Sequence, residues 1–101
     1  SDLIKKTKKG GLMKESALIE KLNKLYPKLK ATPMAEYYND STEVGIWFRG
    51  SEDSEAVDGL PLYDCYEEFG YEINPDVEKI LNDAGWVAEP YDAGTLMAYP
   101  N

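Results

Sequence analysis

Residues 74–99 constrain the fold of this chain more tightly than any other stretch. Asn74 suits a helix N-cap, Pro75 suits the first helical position, and Asp76 and Glu78 favour the positive end of the helix dipole. Val77, Ile80, Leu81 and Ala84 recur at helical spacing, and Gly85 stops the run. Two β-prone segments follow, Trp86–Tyr91 and Thr95–Tyr99. Between them lies Asp92-Ala93-Gly94, with glycine where a positive φ is needed. Pro90 cannot donate to a neighbouring strand, so the first segment has an open edge near its end.

Upstream, Leu18, Leu22, Leu25, Tyr26 and Leu29 form one apolar stripe. They predict a helix over 15–26 that Pro27 ends or kinks. Ala35–Asp40 and Glu43–Arg49 are rich in aromatic and β-branched residues and predict a first hairpin. In its second strand Val44, Ile46 and Phe48 share one face and Trp47 takes the other. Residues 50–59 read as an acidic loop. Leu62, Cys65, Tyr66 and Phe69, between Pro61 and Gly70, have helical spacing and predict a short helix over 62–69. The order α-ββ-αα-ββ specifies an α+β fold: a two-layer sandwich in which a small antiparallel sheet of about four strands, two hairpins, packs against two or three helices.

A chain of 101 residues, 43% of them hydrophobic, can bury one core. Residues 13–101 are expected to form that domain. Residues 1–12, SDLIKKTKKGGL, read as a basic leader, flexible or non-native, with Met13 placed as a native start would be. No apolar run approaches a membrane span, so no membrane association is expected. The leader lacks a signal-peptide core and the single Cys65 cannot pair internally, which together give an expected cytoplasmic location.

Charge is split along the chain. Residues 1–30 carry nine lysines against Asp2, Glu15 and Glu20, whereas residues 31–101 carry sixteen acids against Arg49 and Lys79. The net charge is −8. A body this acidic repels phosphates, so direct nucleic-acid binding by it is not expected.

Several chemistries are excluded. Without histidine there is no Ser-His-Asp or Cys-His arrangement, and one cysteine leaves too few ligands for structural zinc. The 52–59 loop fails the EF-hand register, because Cys65 falls where the bidentate glutamate belongs. No acid stands two residues before a lysine, as a PD…(D/E)xK nuclease requires, and no glycine-rich phosphate loop occurs. No catalytic residue, metal site or cofactor is expected.

Two binding chemistries remain. The first is an acidic face, Glu52, Asp53, Glu55, Asp58, Asp64, Glu67 and Glu68, offered to a basic protein surface, one form of which is charge mimicry of nucleic acid. The second is an aromatic-lined pocket or interface, Trp47, Tyr63, Tyr66, Trp86 and Tyr91, for a small molecule, with a homodimer interface as one location. An open sheet edge and surplus aromatics favour a homo-oligomer under either.

Overall fold

The computed structural model of the chain describes residues 12–101. Its elements are helix α1 (Glu15–Leu25), a 3-10 turn (Pro27–Leu29), strand β1 (Ala31–Pro33), helix α2 (Met34–Tyr38), strand β2 (Ile46–Phe48), helix α3 (Pro75–Asp83) and the hairpin β3 (Trp86–Asp92) and β4 (Thr95–Pro100). The four strands form one antiparallel sheet in the order β1-β2-β4-β3. The chain is therefore an α+β protein, as its patterning specifies.

The core lies between one sheet face and the two longer helices. Leu18 and Leu22 of α1 and Val77 and Leu81 of α3 are buried against Ile46 and Phe48 of β2, Trp86 and Ala88 of β3, and Leu96 and Ala98 of β4. Trp86, 1% exposed, fills the largest part of it. Its indole N–H donates to the Met13 carbonyl at 2.8 Å, so a polar edge on a buried ring is satisfied. The Met13 amide donates to the Ala84 carbonyl at 2.9 Å, which ties the start of the described chain to the end of α3.

Polar side chains of α1 tie it to the sheet. Asn23 donates to the Ala31 carbonyl (2.9 Å) and accepts from its amide (2.8 Å), the pairing a neighbouring strand would supply. Edge strand β1 is thereby blunted at Ala31. Glu15 Oε1 accepts the Gly45 amide at 2.8 Å. Where the chain leaves β2, Gly50 passes so close to the 3-10 turn that a Cβ there would stand 1.9 Å from the Lys28 carbonyl oxygen. No other residue fits without backbone movement, and the acidic loop starts from that fixed point.

Two expected elements differ. Ala35–Asp40 is not the first strand of a hairpin; Met34–Tyr38 is a single helical turn, and β2 pairs instead with Ala31–Pro33 across it. The turn follows Pro33 and ends at Asn39, whose left-handed φ of 53° stops it and whose amide donates back to Ala35. Residues 62–69 are not helical. The Asp64 carboxylate takes the amides of Tyr66 (3.2 Å) and Phe69 (3.0 Å), and Tyr63 pairs with Ile73 as an isolated bridge. An acceptor this close competes with helical bonding for the same donors.

Candidate interaction surface

Between Gly50 and Glu78 the chain has ten acidic residues and no lysine or arginine. All but the start of α3 is loop, held by its own turns and by buried anchors. Ser51 is buried, donates to the Phe48 carbonyl and accepts the Leu96 amide at 2.9 Å, which pins the acidic loop to β4. Ala56, Val57 and Leu62 are buried in the core, and Asp58 between them is exposed.

The seven acids expected at the surface fall into two groups. In the first, the Glu52 carboxylate lies over Gly94 of the β3–β4 turn, where a Cβ would stand 2.7 Å from its oxygen. Asp53 accepts the Glu55 amide at 2.9 Å, and Glu55 pairs with Lys28 at 3.7 Å. Asp58 occupies a left-handed position, φ 51°, in the turn bridged by Val57 and Leu60. The second group is the turn over 64–70. Asp64 accepts two of its amides, Glu67 is left-handed at φ 54°, and Glu67 and Glu68 are exposed. No cluster of acids or cysteine among the described residues is close enough to hold a metal.

The five aromatics separate. Trp86 and Tyr63 belong to the core. Burial foremost raises the pKa of Tyr63, with further contributions from Cys65, Glu72 and Asp92. Tyr66 stands 82% exposed on the 64–70 turn, beside Phe69 at 52%. These are large apolar groups on a turn that its own hydrogen bonds hold in shape. Cys65, between Asp64 and Tyr66, is a half-buried free thiol packed against the core.

Trp47 and Tyr91 come together on the opposite sheet face through a residue outside the expected set. Tyr37 of α2 meets Trp47 edge-to-face at 5.0 Å between centroids and Tyr91 at 5.3 Å, and Tyr38 meets Tyr37 at 5.0 Å. Beneath them Met97 is fully buried, although its neighbours Leu96 and Ala98 face the main core. Met34, 1% exposed, is likewise buried outside that core. The Tyr37 hydroxyl is held protonated, its pKa pushed up to about 12, first by the side chain of neighbouring Tyr91 and then by desolvation. Met34, Tyr37 and Tyr38 at i, i+3 and i+4 are the signal that identifies this helical turn. Phe69 is missed because its spacing matches a helix that does not form.

Among the described residues, an open cleft of about 310 Å³ lies between the 3-10 turn and the acidic loop, lined by residues including Tyr26, Lys28, Glu55 and Asp58. None of the five expected aromatics lines it. Compared with known proteins, the chain matches no protein family, no curated protein and no solved structure. No helix among the described residues is long and apolar enough to cross a membrane.

Proposed function

We propose that this protein is a non-enzymatic interaction module whose acidic segment engages a basic protein surface, with Tyr66 and Phe69 as its apolar anchors. The observation that carries the reading is the 64–70 turn. Asp64 holds it in shape while Tyr66, Phe69, Glu67 and Glu68 point to solvent. Exposed aromatics on an ordered element are the usual energetic centre of an interface, and truncating one costs about 2 kcal/mol or more. The surrounding acids steer a basic partner and speed its encounter, an effect that weakens with salt. Charge mimicry of nucleic acid is the form in which that partner surface normally holds phosphates.

A photo-crosslinking amino acid at position 66 tests the reading, with position 20, exposed on α1, as the control. The expected crosslink at 66 captures a protein with a basic surface. Its affinity for the wild-type chain falls about 30-fold or more with Tyr66→Ala and falls as ionic strength rises. A captured partner that is acidic, or an affinity indifferent to both Tyr66→Ala and salt, overturns the proposal. Competition by duplex DNA for the captured partner distinguishes the mimicry form.

A further inference from the structure

The second sheet face carries a cluster that the acidic segment does not use. Tyr37, Tyr38 and Tyr91 are 37%, 42% and 45% exposed, although Met97 beneath them is fully buried. Their rings, with Trp47, form one edge-to-face cluster, and the three tyrosines in it are part-exposed to solvent. Acids surround them. Glu89 lies directly opposite Met97 in the sheet, Asp92 follows Tyr91, and Glu43 precedes β2. The charges of Asp92, Glu43 and Glu89 all act on tyrosines of this face. One cation already uses it: the Arg49 guanidinium carbon lies 5.9 Å from the Trp47 ring centroid. Aromatic faces within an acidic rim attract an organic cation, and a planar guanidinium also stacks.

We propose that the Tyr37–Trp47–Tyr91 cluster is a site for an arginine side chain of the partner. The inference rests on that partner being basic. It places a second contact across the β3–β4 turn from the acidic loop, since Glu52 lies against Gly94 and Asp92 accepts the Gly94 amide at 2.9 Å. Loop and cluster thus meet at one turn. The acids supply long-range attraction, and the rings supply selectivity for guanidinium over other cations.

The probe is a blocked glycine peptide carrying spaced arginines, compared with matched lysine and citrulline peptides. The two tryptophans give two indole N–H signals in the nitrogen–proton NMR spectrum. Trp47 lies in the proposed site, while Trp86 is buried and bonded to Met13, an internal control. The arginine peptide is expected to shift the Trp47 signal and leave that of Trp86 in place. Lysine should bind more weakly and citrulline should leave both signals unmoved. Tyr91→Ala should weaken the arginine peptide about two- to fivefold. Asp92→Asn, which keeps an oxygen to accept the Gly94 amide, should weaken it similarly and covers the case in which the alanine variant unfolds. An unmoved Trp47 signal, equal response to citrulline, or unchanged affinity in Asp92→Asn overturns the inference. If it fails while Tyr66→Ala still weakens the captured partner, the interaction reading stands without this contact. If the captured partner proves acidic, that reading fails whatever the peptide does.

Discussion

Asn74 serves two functions with one side chain. Its Oδ1 accepts the Asp76 amide at 3.0 Å and caps α3, while its Nδ2 donates to the Tyr71 hydroxyl (3.3 Å) and the Pro61 carbonyl (3.4 Å). At 2% exposure, water cannot replace these partners. Asn74→Ala should cost about 1–3 kcal/mol in urea unfolding, a lost cap plus a loosened loop. Asn74→Asp keeps the cap but aims a carboxylate at the Pro61 carbonyl, so it too should destabilise. A neutral Asn74→Asp would mean that capping is the whole role. Tyr37 makes a second prediction at this scale, in pH. Its folded pKa of about 12 lies above the ordinary value of 10.0, chiefly through Tyr91 and desolvation. A raised pKa means that the folded state holds the proton more tightly. The associated stability is complete below the ordinary value and is lost as pH climbs from 10.0 to about 12. Denaturation measured across that window should show a shallower loss in Tyr37→Phe than in the wild type. Equal slopes would show that Tyr37 titrates as a free tyrosine.

At the scale of elements, the 64–70 turn depends on one carboxylate. Asp64→Ala should speed amide exchange at Tyr66 and Phe69 by tenfold or more, on the order expected when local bonds of about 1.5 kcal/mol are lost. Global stability should change by less than about 1 kcal/mol, because the core beneath stays intact. Exchange unchanged at those two amides would show that Cys65 packing, not Asp64, shapes the turn. The same carboxylate explains what the sequence hid. Leu62, Cys65, Tyr66 and Phe69 have helical spacing, and nothing in spacing reveals that Asp64 takes two of the amides. The α2 turn was hidden differently. Two adjacent tyrosines favour strand by composition, but Pro33 before them and Asn39 after them bracket one helical turn that buries Met34. The α3 run and the final hairpin were legible because cap, proline, stripe and turn glycine all agree. The site was legible in its parts only. The acids are outward because they sit in loops, yet grouping Tyr37 with Trp47 and Tyr91 needs the sheet register, which joins residues more than forty positions apart.

Over the whole molecule, fold and function should respond to salt in opposite directions. Among the described residues, eighteen acids and seven bases share a body with a radius of gyration of 13.8 Å. At ~0.01 M salt the screening length is about 30 Å, so the acids feel one another across the molecule; at ~1 M it is about 3 Å and they do not. Self-repulsion destabilises the compact state. The unfolding free energy from urea titration should therefore rise along a sodium chloride series, by an amount on the order of 1 kcal/mol, and potassium should match sodium because screening has no ion preference. Partner affinity should fall along the same series, since screening removes the attraction that the acids provide. The opposite signs exclude a trivial cause: a partner lost through unfolding would be lost where the fold is weakest, at low salt. Glu67→Gln with Glu68→Gln tests the same opposition without salt. Removing two exposed, adjacent like charges should leave stability unchanged or raised and the captured partner more weakly bound, the trade expected when surface charge is kept for binding at some cost to the fold. A double variant that loses stability instead would place those carboxylates in holding the turn together.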